Sequence, residues 1–102
     1  MAYSDNNKER DYLMSKKYVF HNDPGHGWLA VKRKELERLG ILNEITPFSY
    51  QKGNTVYLEE DCDYSTFYNA KIQAGEALNK DDIRDSYQER SPILSYRSFS
   101  AT

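Results

Sequence analysis

The segment 21–28, His-Asn-Asp-Pro-Gly-His-Gly-Trp, holds the densest group of side chains that could do chemistry. His21, Asp23 and His26 offer two imidazoles and a carboxylate, which are groups that bind metal ions or transfer protons. The two histidines are five residues apart across a turn, which is not the i, i+4 spacing of a helical zinc-binding pair. Three interpretations stay open: a turn that hydrogen-bonds its own backbone, a metal or catalytic site, and a contact of the histidines and Trp28 with a partner protein.

The segment 59–63, Glu-Glu-Asp-Cys-Asp, combines four carboxylates with the single cysteine of the chain. Carboxylates that alternate along a strand share one side, where three of them could hold Mg²⁺ or Ca²⁺. In the other interpretation the glutamates solvate a strand end, Asp63 caps the following helix, and Cys62 packs as a small apolar residue. A nucleophilic Cys62 would require a neighbouring histidine to lower its pKa. The first alternative function is therefore a metal-dependent enzyme or metal-binding regulator that uses this segment with His21, Asp23 and His26.

Three basic residues, Lys32, Arg33 and Lys34, stand where a helix is predicted to begin. Cations there oppose the helix macrodipole, and the free N–H groups of a helix start can bind an anion. A phosphate or an acidic partner surface would relieve the repulsion, which makes weak nucleotide or nucleic-acid binding the second alternative function. A solvated basic face, balanced by Glu35 and Glu37, explains the same residues.

Nine tyrosines are more than a core of this size can bury, so some of them must be exposed. Exposed tyrosine is a frequent contact residue at protein interfaces. Tyr50 and Tyr57, on the two strands of a predicted hairpin, are therefore candidate partner-binding residues. Stacking on nucleic-acid bases is disfavoured, because the charge is too near neutral to provide the positive surface that phosphate contacts need.

The composition describes one small domain with little apolar material. The chain has 102 residues, of which 38% are hydrophobic and 14% aromatic, and its net charge is -2. This charge excludes a strongly basic nucleic-acid binder and a strongly acidic DNA mimic. One cysteine excludes an internal disulfide, and no apolar run approaches the length of a membrane span. The first ten residues lack the apolar core of a signal peptide, so we expect a protein of the cytoplasm.

The first predicted elements are two strands. The β-rich runs 17–21 and 27–31 predict a hairpin. The residues between them favour a type II turn, in which Gly25 would take a positive φ, and Gly27 is a candidate for a β-bulge.

A short helix and a second hairpin follow. Apolar residues three apart among charged ones predict a helix over 32–39, which Gly40 ends. The runs 48–51 and 55–59 flank a short glycine-containing turn, which is typical of a hairpin.

Three elements are predicted in the remaining chain. Helical spacing of aromatic and apolar residues predicts a helix over 64–74, with Gly75 just past its end. A polar stretch predicts one short helix around 81–87. The run 93–99 predicts a last strand, since Pro92 suits a strand start or a sheet edge.

The resulting order, β-β-α-β-β-α-β, predicts an α+β fold. We expect a small antiparallel sheet of four to five strands with two main helices packed mainly on one face. Residues 17–102 would form this single domain, and the polar residues 1–16 a flexible N-terminal arm.

Two long motifs carry a resemblance: His-x-Asp-Pro-Gly-His-Gly-Trp-Leu at 21–29 and Val-Tyr-Leu-Glu-Glu-Asp-Cys-Asp at 56–63. With them the chain resembles a family of small proteins encoded in bacteriophage, prophage and plasmid genomes, over about residues 17–72 and the tail. The resemblance implies a phage or mobile-element product that acts in the cytoplasm of a bacterial host. It assigns no catalytic role to any residue.

The sequence thus favours a non-enzymatic protein-binding module that inhibits or modulates a host protein of defence or transcription, or binds another phage protein. No catalytic constellation is recognisable, and we expect neither a cofactor nor a nucleic-acid or membrane partner. The candidate contact residues are His21, Asp23, His26, Trp28, Tyr50 and Tyr57.

Overall fold

One mixed sheet of six strands runs through the molecule, which a computed structural model describes over residues 17–102. In chain order the strands are β1 (Tyr18–Asn22), β2 (Gly27–Lys32), β3 (Tyr50–Lys52), β4 (Thr55–Glu59), β5 (Ile83–Tyr87) and β6 (Arg97–Ser98). Their order across the sheet is β5-β1-β2-β4-β3-β6. The expected N-terminal arm, residues 1–16, lies outside the described residues.

Two α-helices and three 3-10 turns complete the described chain. The helices are α1 (Arg33–Arg38) and α2 (Asp63–Gln73), and the 3-10 turns are Leu42–Glu44, Lys80–Asp82 and Pro92–Ser95. Gly40 and Gly75 follow the two helices with positive φ, as predicted for helix ends. No helix within residues 17–102 is both long enough and apolar enough to cross a lipid bilayer.

The helices cover one face of the sheet and form the main core with it. Side chains alternate along a strand, so every second residue of β1, β2 and β4 points to this face. Leu36 of α1 and Phe67 of α2 are buried there. The sheet residues that join them in the core include Tyr18, Leu29, Val31, Val56 and Leu58. The predicted α+β class with two helices is confirmed.

The strand number and direction differ from the prediction. We expected an antiparallel sheet of four to five strands. The sheet has six strands, and β5 pairs in parallel with β1. The segment predicted as a short helix around 81–87 is this strand. Its polar sequence has no strong preference of its own, and pairing along the whole of β1, from Tyr18 with Ile83 to Asn22 with Tyr87, decides its conformation.

The C-terminal segment also differs from its prediction as a strand over 93–99. The chain first forms the 3-10 turn, because Pro92 suits a first helical position and the Ser91 hydroxyl accepts a hydrogen bond from the backbone N–H of Ile93. Only Arg97–Ser98 then pairs, antiparallel to β3.

The turn between β1 and β2 is not type II, since Gly25 does not take a positive φ. The Asp23 carboxylate instead accepts a hydrogen bond from the Gly25 N–H at 2.9 Å, as in an Asx turn. Gly27 forms no bulge and pairs regularly with Asn22. A Cβ at Gly27 would lie 2.6 Å from the Phe20 ring, so the glycine makes room for that ring.

Candidate functional site

The face of the sheet opposite the helices carries a row of aromatic rings. We call it the aromatic face and define it by His21, Trp28, Tyr50, Tyr57 and Tyr96. The strand register explains it, because His21 lies opposite Trp28 and Tyr57 lies opposite Tyr50, and residues directly opposite share a face. Tyr96 reaches the same face from the end of the C-terminal 3-10 turn.

The rings contact one another in two series. In the first, His26 stacks on Trp28 with centroids 5.4 Å apart, and Trp28 meets the edge of Tyr50 at 6.2 Å. In the second, His21 contacts Tyr57 at 5.7 Å, and Tyr57 contacts Tyr96 at 5.3 Å. The sequence-predicted contact residues are therefore brought together on one face.

These residues differ in how much of their surface is available to a partner. Trp28 is only 1% exposed, so its role is to pack the centre of the face. Tyr57 is half-buried, and its burial, followed by the nearby Tyr96, raises its pKa. His21 is also half-buried, and burial, followed by the charge of Arg84, lowers its pKa and so favours the neutral imidazole. The His26 side chain is the accessible one, at 52% exposed.

Asp23 holds the turn that presents His26. Its Oδ1 lies 3.1 Å from His26 Nδ1, and its carboxylate also bonds the Gly25 N–H. Partial desolvation by itself would raise the pKa of the Asp23 carboxyl group. The hydrogen bonds from Gly25 and His26 have the larger combined effect, and the pKa is lowered. The geometry is that of a turn closed by its own hydrogen bonds, the first of the three interpretations.

The acidic segment does not converge with the histidines into a metal centre. Within residues 17–102, no three His, Cys, Asp or Glu side chains are close enough to hold a metal ion. Asp63 is not available as a metal ligand beside the other acids, because its buried carboxylate accepts hydrogen bonds from Thr46 and Ser49. The prediction that Asp63 caps the helix is wrong, since Cys62 is the N-cap residue and no side chain caps it.

Cys62 is exposed, which corrects the expectation that it packs as an apolar residue. Partial desolvation and the carboxylates of Glu59, Asp63 and Asp61 raise its pKa. The thiol therefore stays protonated at neutral pH, and the nearby carboxylates work against the activation that a nucleophile requires.

The basic triplet stands at α1, but its central residue already has partners. The Arg33 guanidinium donates hydrogen bonds to the carbonyl oxygens of Ser100 at 3.2 Å and Ala101 at 2.8 Å. It also lies over the Phe99 ring. Lys32 and Lys34 are exposed. Arg33 thus ties the C-terminal segment to the sheet and is not available as the centre of an anion site.

A cleft of about 400 Å³ opens beside the aromatic face, and we call it the apolar cleft. Trp28 and Tyr50 form its floor, and His26 and Cys62 border it. Glu59 and Asp61 contribute carboxylates to its lining, and Phe48 and Leu94 contribute apolar surface.

Sequence reasoning did not single out Phe48 and Leu94, although they are among the most exposed large apolar side chains, at 69% and 47%. For Phe48 the available signal was its spacing of two from Tyr50 in the strand predicted over 48–51. The structure instead places Phe48 in a turn, and β3 begins at Tyr50. Leu94 was missed because a strand was predicted over 93–99, where the structure has a 3-10 turn. In that turn Ile93 is buried, while Leu94 is exposed.

Comparisons of the chain with protein-family models, with curated proteins and with solved structures find no match.

Proposed function

We propose that this chain is a non-enzymatic protein-binding module that docks on a larger protein through the aromatic face and the apolar cleft. The observation that carries the proposal is the exposure of Phe48 and Leu94 around one cleft. Apolar side chains grouped in this way, with a polar rim, are typical of protein-interaction surfaces.

The frame behind the cleft suits such a function. Trp28 is fixed between His26 and Tyr50, so the floor does not have to be ordered on binding. A preorganised surface loses less conformational entropy when a partner docks. His26 adds an exposed polar group at the edge, where a partner can bond it.

The setting that we propose is the cytoplasm of a bacterial host. The motif resemblance described above supports a phage or mobile-element product, and mobile elements often encode small inhibitors of host defence or transcription. A host protein of defence or transcription is therefore the proposed partner class, and another phage protein is the alternative.

The geometry favours this function over the two alternatives. A metal centre would need His21, Asp23 and His26 to meet the acidic segment, and no such group forms within the described part of the chain. An anion site at the start of α1 would need Arg33, which donates to the chain's own carbonyl oxygens.

The test is capture of a partner from the lysate of a bacterial host by the tagged full chain, read by mass spectrometry. The variant Phe48→Ser with Leu94→Ser removes the exposed apolar surface and should lower the recovered partner at least tenfold, since central apolar contacts carry most of an interface's affinity.

The matched control is Ile72→Ser on α2, a residue that is 47% exposed like Leu94 but lies on the helix layer. Circular dichroism checks that each variant is folded. The proposal is overturned if the cleft variant and the control recover the same partner in equal amounts, or if no protein binds near equal stoichiometry.

A further inference from the structure

Two acidic residues line the apolar cleft, and neither has a cation partner within residues 17–102. Glu59 and Asp61 line the cleft, and neither forms an ion pair with a described residue. The Glu59 carboxylate accepts the backbone N–H of Asp61, at 3.0 Å from each oxygen, and its other neighbour is the uncharged Cys62 thiol. Two negative charges therefore border an apolar surface without compensation from the described chain.

The cations that the strand register puts on the same side of the sheet, Lys32, Lys52 and Arg84, do not line the cleft. The Lys52 ammonium lies 4.8 Å from the centre of the Tyr96 ring, at the other end of the aromatic face. Arg84 lies on the edge strand β5, where its charge contributes to the lowered pKa of His21. The one imidazole at the cleft, His26, is directed to Asp23.

The apolar lining of the cleft is suited to a long aliphatic chain. Phe48 and Leu94 are exposed beside Tyr50, and they would pack against methylene groups. An exposed phenyl ring also attracts a cation over its face. A long basic side chain satisfies both requirements, because its stem is apolar and its head group is charged.

We propose that the cleft binds an arginine side chain of the partner protein, an inference that rests on the protein-binding function proposed above. The stem packs on Phe48 and Leu94, and the guanidinium bonds Glu59 and Asp61. Arginine fits better than lysine, because its planar group can stack on a ring and bond carboxylates at the same time. The volume of about 400 Å³ is large enough to admit an arginine side chain.

The experiment is an NMR titration of the ¹⁵N-labelled full chain with the peptide acetyl-Gly-Arg-Gly-amide. The amide signals of Phe48, Glu59 and Asp61 should shift, with a dissociation constant on the order of 1 mM. The same peptide with citrulline keeps the shape but lacks the charge, and it should leave these signals unchanged. The lysine peptide should bind more weakly than the arginine peptide.

Two variants locate the site. Glu59→Gln should weaken the arginine peptide about three- to fivefold, the loss of one partly exposed ion pair. The matched control Asp85→Asn removes an exposed acid from β5, outside the cleft, and should bind as the unchanged chain does.

The proposal is overturned if citrulline binds as well as arginine, if the shifts lie outside the cleft, or if tens of millimolar peptide cause none. These outcomes leave the protein-binding function standing when the Phe48 and Leu94 variant still loses its captured partner. If that variant keeps its partner while the arginine peptide binds, docking of the captured partner through the cleft is excluded and the arginine site remains.

Discussion

Asp63 is a buried carboxylate whose partners decide its function. It is 1% exposed and accepts hydrogen bonds from the backbone N–H and the hydroxyl of Thr46 and from the Ser49 hydroxyl. The Ser49 oxygen in turn accepts the Glu59 N–H at 2.9 Å. The start of α2, the loop before β3 and the end of β4 are thus joined through one carboxylate.

Replacing this carboxylate should be costly. Asp63→Ala leaves three donors without their acceptor in a buried place, so we expect the free energy of unfolding to fall by about 3 kcal/mol. Urea denaturation followed by circular dichroism measures it. Asp61→Ala, an exposed neighbour, should change stability by less than about 0.5 kcal/mol. Similar losses in both variants would contradict the assigned role.

The candidate site could be predicted only in part, residue by residue. Alternation along the hairpin strands places Tyr50 and Tyr57 opposite each other, and the turn sequence placed His26 beside Trp28 in a short segment. The exposure of Leu94 could not be predicted, because it depends on a 3-10 turn that packs against a sheet formed far earlier in the chain.

At the scale of elements, local signals were sufficient wherever the partner is near in sequence. The β3–β4 hairpin closes on Gly53 with φ of 59°, and α1 ends at Gly40 with φ of 73°. For β5 the local signal was misleading. Its partner β1 lies more than 60 residues earlier, and no periodicity within a polar five-residue strand identifies a parallel neighbour at that distance.

The Arg33 guanidinium connects α1 to the C-terminal segment. Arg33→Met removes the donors to Ser100 and Ala101, so we expect a loss of about 1–2 kcal/mol. The Phe99 N–H, which donates to the Ser49 carbonyl, should exchange faster with deuterium.

Lys34→Met is the control, since Lys34 is an exposed residue of the same helix. It should leave both the stability and the exchange of Phe99 unchanged. An equal effect of the two substitutions would show that charge near α1, and not the bonded guanidinium, holds the segment.

At the scale of the whole molecule, an ion-pair network ties the end of α2 to α1. Lys71 Nζ lies 2.8 Å from Glu35 and 2.9 Å from Glu76, and Arg38 bonds Glu76 at 2.8 Å. Hydrogen bonds from Arg38, and then from Lys71, lower the pKa of Glu76 to about 2. The Lys71 side chain is buried, and its pairs with both carboxylates raise its pKa despite that burial.

The network makes the stability of the fold depend on pH in the acidic range, and the lowered pKa of Glu76 gives the direction of that dependence. Its pKa is lower in the folded chain than the ordinary value of 4.5, so its contribution is complete above pH 4.5 and is lost as pH falls towards about 2. We expect Glu76→Gln to be less stable than the unchanged chain at pH 7 and nearly equal to it at pH 2. Urea midpoints at several pH values measure this.

Glu37→Gln, on the exposed side of α1, is the control and should show no such convergence. A constant difference between Glu76→Gln and the unchanged chain from pH 7 to pH 2 would mean that the ionised carboxylate is not what stabilises the network.

The parallel strand β5 also bears on self-association of the protein. β5 covers the edge of β1. If β5 separated, Tyr18, Val19 and Phe20 of β1 would form an unpaired, aggregation-prone edge. The outward side chains Arg84 and Asp85 make β5 itself a charged boundary that disfavours pairing with another copy. Conditions that loosen β5 would therefore expose the backbone groups of β1 to pairing with a strand of another copy.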